Sequence, residues 1–373
     1  MSEVVEQTAI HQSPLHEIHK RFGAEMKECD RWQVPASYGD ELFEYAAVRE
    51  GGAGVIDFSL RGRFQVRGSE AVQFLNGLIT NDMKTLTENQ WMPAVFPNVQ
   101  GRLLAYVRIV RIRNGYLIDT EAATHETVLK TIQRFTSAGD FHVSDLTKQT
   151  ALLSVQGKQA IEIAGSVLSE TPLRLSRNGA VEIEWQQKSL TVLRASHTAE
   201  DGFDIVASAD QATPLWNALV NAGARPVGHE AWDRLRIEAG VPRYRIDMDE
   251  TNVVTETGLD EAVSYTKGCY IGQEIIARIK YRGHVAKKLV GLSFNRAMKI
   301  DKDAKIKWAD KEIGRITSNT LSPHLGCTIA LGYVKYDYLA PDTEVRVTSS
   351  HGDLHARVAE LPFVRRGALN EDG

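Results

Sequence analysis

The residues best placed to do chemistry lie in one run, Lys267-Gly268-Cys269-Tyr270-Ile271-Gly272-Gln273-Glu274. It precedes a predicted helix whose apolar face is Ile275, Ile276 and Ile279. A thiol near the positive end of a helix dipole, with a lysine two places upstream, is favoured as thiolate. Cys269 is therefore a candidate reactive or metal-touching sulfur, and Lys267 its supporting cation. Gly268 and Gly272 would let a ligand or a second backbone come close to the sulfur. The plainer reading of a lone cysteine, a small buried hydrophobe, stays open beside this one. His284 is either a second ligand near Cys269 or a turn histidine, and Cys29 and Cys327 have no activating neighbours.

Composition narrows what such a thiol could serve. With 44 Lys and Arg against 48 Asp and Glu, the net charge is −4, so there is no basic field for nucleic acid. The expected partner is a small molecule or a protein. Three widely separated cysteines cannot build a disulfide framework, nor a zinc or iron–sulfur site from thiolates alone, so no metal centre within one chain is expected. The first residues lack a basic and apolar leader pattern, and no stretch approaches a membrane span, from which a cytoplasmic location is expected.

The elements that must position the motif follow from an internal repeat. Phe64-Gln65-Val66 reads as a strand, followed by Gly68, an N-cap at Ser69 and a helical face of Ala71, Phe74, Leu75 and Leu78. Ser154-Val155-Gln156-Gly157-Lys158-Gln159-Ala160 repeats that order of strand, glycine and helix. Each copy continues into a hairpin. The first is Leu103 to Arg113 turning at Asn114-Gly115; the second is Leu190 to Ala195 followed by Phe203 to Val206. Each hairpin leads to another helix, and the first copy ends on a strand at Phe141 to Val143. The expected fold is α+β: two tandem split-βαβ, ferredoxin-like repeats with a cleft between them. Beyond the helix Trp232 to Gly240 and the irregular passage Val241 to Ala262, six short alternating strands from Lys288 to Glu360 predict a small C-terminal β-barrel. The expected domains are an N-terminal arm (1–59), a first repeat (60–148), a second repeat carrying the motif (149–285) and the barrel (286–373).

Several pieces in this order resemble the T-protein of the glycine cleavage system, an aminomethyltransferase. They include Asp57-Phe58-Ser59, Thr80-Asn81-Asp82, Thr198 to Phe203 and Leu235 to Gly240. The octapeptide Lys267 to Glu274 resembles the signature of the YgfZ-type branch, whose members are linked to assembly or repair of iron–sulfur enzymes with tetrahydrofolate. The resemblance implies a functional motif centred on Cys269 and a tetrahydrofolate, or a one-carbon derivative, in the inter-repeat cleft. It implies a pterin contact at Glu200, whose plainer reading is a hairpin-turn glutamate facing water. Asn81 and Asp82 are good turn residues and, under the resemblance, cofactor contacts. In the T-protein's Gly-Gly-x-x-Asp-Asp-Leu segment the catalytic aspartate falls on Ala105; its folate tyrosine falls on Pro93 and a helix arginine on Trp232. These departures imply an accessory protein of iron–sulfur enzymes or cluster assembly rather than an active aminomethyltransferase. A divergent aminomethyltransferase is the alternative.

Overall fold

The computed structural model describes residues 10–170, 174–350 and 352–365; the first nine residues of the expected arm and the last eight of the expected barrel segment lie outside these. The arm comprises β1 (His11–Gln12), α1 (His16–Arg21), β2 (Glu25–Cys29), β3 (Trp32–Ser37), α2 (Glu41–Arg49) and β4 (Gly54–Asp57). Helix α2 starts where Asp40 accepts from the Leu42 and Phe43 amides, a side-chain cap on otherwise unpaired donors.

The first α+β unit runs β5 (Gly62–Arg67), α3 (Ala71–Leu78), β6 (Trp91–Pro97), β7 (Leu103–Ile112), β8 (Gly115–Thr120), α4 (His125–Gln133) and β9 (His142–Asp145), with sheet order β6-β7-β8-β5-β9. The second runs β10 (Thr150–Gln156), α5 (Ala160–Leu168), β11 (Ala180–Trp185), β12 (Lys188–Arg194), β13 (Gly202–Ser208), α6 (Ala212–Asn221) and β14 (Arg225–Pro226). Each unit thus has three strands between its helices where the sequence reading places two. Strand β6 carries Pro93 and Pro97, which interrupt a strand pattern; they are tolerated because β6 is an edge of its sheet. Strand β11 reaches β12 through Gln186 and Gln187, both left-handed, without the usual Asn-Gly signal.

The repeated glycines have the same cause in both units. Gly68 and Gly157 have φ of 116° and 133°, and each is followed by a buried alanine whose amide donates to the glycine carbonyl. A Cβ at Gly68 would collide with the Asp140 carbonyl, just before β9; at Gly157 it would collide with the Gly52 carbonyl, just before β4. Strand β4, read in sequence as part of the arm, therefore occupies in the second unit the place β9 occupies in the first. The second sheet runs β11-β12-β13-β10-β4-β14. Gly68→Ala is expected to cost about 1–3 kcal/mol in urea unfolding, from left-handed strain plus the carbonyl contact; an unchanged midpoint would contradict this account of the repeat.

Helix α7 (His229–Glu238) leads through the 241–262 passage to α8 (Gln273–Arg282). The barrel closes as β15 (Lys287–Phe294), β16 (Lys305–Trp308), β17 (Lys311–Ser322), β18 (Cys327–Lys335), β19 (Glu344–Ser349) and β20 (Gly352–Ala359), with β15 paired to both β18 and β20. All six strands stand where their alternation predicts them. Arg236 and Glu238 of α7 fasten it to the barrel: Arg236 donates to Asp247 and to Ser318 of β17, and Glu238 accepts from Ser322 of the same strand. Among the described residues no helix is long and apolar enough to cross a membrane.

Candidate functional site

Strand alternation sorts the side chains of β7. Ala105, Val107 and Ile109 enter the first unit's core against α3 and α4, with Phe64, Leu75, Val128 and Ile132. Tyr106 and Arg108 point the other way, toward the second unit and the 241–262 passage. Arg108 sits opposite Asp119 of β8 in the ladder, and its Nε donates to Asp119 at 2.7 Å. Its second arm crosses to Asp204 of β13 at 2.5 Å, so one guanidinium joins the two units. Arg61 closes a fork on Asp119, with both bonds 2.8 Å, and His197 Nε2 lies 2.9 Å from Asp204. Burial alone would raise both carboxyls. At Asp119 the Arg108 and Arg61 charges outweigh it, and at Asp204 those of His197 and Arg108, holding both below the usual carboxylate range.

Aromatic rings border this charged belt. Trp91 lies 5.7 Å from the Arg108 guanidinium and donates to the Arg194 carbonyl. Phe58 meets His197 and Trp232 edge-on at 5.0 and 5.1 Å, and the Arg243 guanidinium stands over Trp232 at 4.9 Å. Phe58 and the charged groups are buried, while Trp91 and Trp232 keep part of their rings exposed at the edge of the belt, where a planar ligand could stack.

Glu200 is buried rather than facing water. Arg49 holds its carboxylate at 2.7 Å while also donating to Glu238 and to the Thr198 carbonyl. Asn81 is occupied by main-chain partners: its amide donates to the Pro93 and Glu261 carbonyls, and its oxygen accepts from the Asp82 amide. Asp82 caps a single helical turn through the Lys84 amide. Thr80, which donates to the Ala262 carbonyl, and Asn81 join β6 to the 241–262 passage. Ala105 is wholly buried, so the side chain that shares the inter-unit face is its neighbour Tyr106; neither carries a carboxylate.

The octapeptide acts as a clamp. Lys267 is buried, and its ammonium donates to the Asn76, Ile79 and Asn81 carbonyls at 2.6–2.9 Å, completing the acceptors left open at the C-terminus of α3. The hydrogen-bonding capacity of the ammonium is thus committed to main-chain carbonyls, and burial lowers it to about 8. Tyr270 packs in the same seam, its ring 5.0 Å from that ammonium, and burial raises its phenol to about 12. Gly272, with φ of 78°, is required because a Cβ would strike the Asn98 carbonyl in the β6–β7 turn. At Gly268 a Cβ would meet open space, so no second backbone of this chain packs against it. Gln273 reaches back to the Lys267 carbonyl at 3.4 Å, and Glu274 is exposed in the first turn of α8. Cys269 is exposed on the outside of this clamp. His284 is stacked on Tyr336 at 3.9 Å, and among the described residues no three His, Cys, Asp or Glu side chains form a metal-binding group.

The sequence reading missed Arg108, Asp119, Asp204 and Glu121. For the first three the signal was present: an ionisable residue inside an otherwise apolar strand must find a partner indoors.

A paired α+β body with an appended barrel, joined across a belt of buried charge, defines the structural class. Family models narrow it: the GCVT N-terminal domain matches residues 15–267, and the glycine cleavage T-protein C-terminal barrel domain matches 287–365. The aminomethyltransferase of Rubrobacter xylanophilus is 32% identical over 367 residues, covering 98% of this chain and 97% of that one. That of Symbiobacterium thermophilum is 32% identical over 372 residues, covering 96% and 98%. The crystal structure of glycine cleavage system aminomethyltransferase T from Bartonella henselae shares the fold, with a TM-score of 0.89 at 24% identity over 96% of this chain and 100% of that one. The chain belongs to the glycine cleavage T-protein family.

Proposed function

We propose that the protein binds tetrahydrofolate, or a one-carbon derivative, on the face shared by its two α+β units and acts as a folate-dependent one-carbon transferase of the T-protein type. The observation that carries this reading is the joint face itself: charged groups from both units, bordered by Trp91, Phe58 and Trp232. The full-length relatives named aminomethyltransferase support the reaction class. Glu200 would take the aminopyrimidine edge of the pterin, whose adjacent N–H donors suit a carboxylate, with Arg49 fixing its orientation. Asn81 would serve by holding β6 against the 241–262 passage, and Asp82 by capping the turn that follows.

Calorimetric titration with tetrahydrofolate tests this reading. Glu200→Ala is expected to weaken binding about tenfold or more, the effect of losing a charge-assisted hydrogen bond. Absence of binding by the native protein would sink the folate reading. With an aminomethylated lipoyl carrier and tetrahydrofolate, the transferase should release methylenetetrahydrofolate.

A second reading, a folate-binding accessory protein of iron–sulfur enzymes or cluster assembly, is favoured by the exposure of Cys269 and by the lack of a carboxylate at Ala105 and Tyr106. It expects no transfer product. It also expects Cys269→Ser to abolish function in cells while leaving folate binding intact.

A further inference from the structure

One carboxyl group on the inter-unit face is held differently from the others. The β7–β8 ladder pairs Arg108 with Asp119 and ends at Val107 and Thr120; Glu121 is the next residue, still extended, so strand alternation puts it on the face that Asp119 shares with Arg108. Thr120 Oγ1 also donates to the Tyr106 carbonyl at 3.1 Å, fixing the two strands there. Glu121 thus lies one strand over from the two β7 positions that lack a carboxylate. Unlike Asp119 and Asp204, it makes no ion pair among the described residues. Its two oxygens share a single donor, the Tyr244 amide, at 3.2 and 3.1 Å, which leaves acceptor capacity on both.

The groups around it are committed elsewhere. Arg61, from the β4–β5 turn, is forked onto Asp119. Arg243, from the 241–262 passage, is directed at Asp233 and Cys29. Asp30, in the β2–β3 turn, adds a like charge. Burial, the largest influence, raises the Glu121 carboxyl, and the two arginines offset this only in part. A half-buried acceptor pair without its own cation is suited to a ligand that brings paired N–H donors.

We propose that Glu121 is a ligand-contacting carboxyl of the inter-unit face, accepting hydrogen bonds from the N–H groups of the bound folate where β7 supplies no acid. This rests on the folate reading above and adds to it a second carboxylate besides Glu200.

The test is tetrahydrofolate titration of native protein and Glu121→Gln between pH 5 and 8, with melting temperatures measured alongside. The amide oxygen of Gln can still accept from Tyr244, so the backbone contact survives. Native affinity should rise with pH as Glu121 ionises, while the variant binds about tenfold or more weaker at pH 7.5 with that rise removed. The melting temperature at pH 7.5 should be unchanged or higher. A carboxyl raised in the fold contributes stability that is complete below its ordinary pKa and is lost as pH rises through the folded value; Gln removes that loss. Equal binding by variant and native protein, with the same pH profile, would overturn the assignment and leave the folate reading standing. A lowered melting temperature together with weak binding would assign Glu121 a structural role and overturn it also. Failure of the native protein to bind tetrahydrofolate would bring down both the reading and the assignment.

Discussion

Arg108→Met is expected to destabilise the protein by about 3 kcal/mol or more at pH 7, the scale seen when one partner of a buried charge cluster is removed. The reason is geometric. Arg108 answers two carboxylates at once, Asp119 in its own sheet and Asp204 in the other unit, and is itself almost wholly buried. Methionine fills much of the volume but leaves Asp204 to His197 and Asp119 to Arg61 alone. The loss should also depend on pH with a defined sign. Both carboxyls are held below their ordinary value of 3.8, so the stabilisation they provide is complete above that value and disappears as pH falls through the folded values. The gap between native protein and Arg108→Met in urea midpoints should therefore be widest near neutrality and close as the medium turns acid. A loss below about 1 kcal/mol at pH 7, the level of exposed pairs, would show that the belt does not bind the units together.

The fold was legible where local pattern carries it. The barrel strands alternate, and the Asn114-Gly115 turn announces the β7–β8 hairpin. Gly68 and Gly157 mark two copies of one turn, each forced by a carbonyl that leaves no room for a Cβ. What local pattern cannot carry is pairing across the chain. Nothing near Gly54–Asp57 says that this strand will lie against β10, a hundred residues on, and stand in for β9. Prolines hid β6, and the Gln186-Gln187 turn hid β11. The site divides in the same way. Cys269 was visible in its motif, and its exposure leaves it available to a partner. Glu200 was visible as a residue, but its burial against Arg49 depends on a helix 151 residues upstream. Arg108 and Asp204 were readable in principle, because a charge within an apolar strand demands a counter-charge indoors. Finding that each was the other's partner needed the structure.

Lys267→Met separates the two uses that a lysine in this motif could have. If the ammonium supports a Cys269 thiolate, removing it should slow the reaction of that thiol with a disulfide reagent and leave stability nearly intact. The geometry predicts the reverse. Three carbonyls at the end of α3 lose their donor, and the segment leading into α8 loses one of its fastenings to the first unit, for an expected cost of about 2–4 kcal/mol. The thiol rate in the folded variant should be unchanged. Cys269 can be followed without separating the signals, since it is the exposed cysteine, while burial raises Cys29 and Cys327 and slows both. Slower labelling at unchanged stability would restore the lysine as the thiol's partner. Lower stability with normal labelling would establish that the octapeptide fixes where Cys269 stands, by holding α8 on the first unit, and leaves its reactivity to whatever partner meets it there.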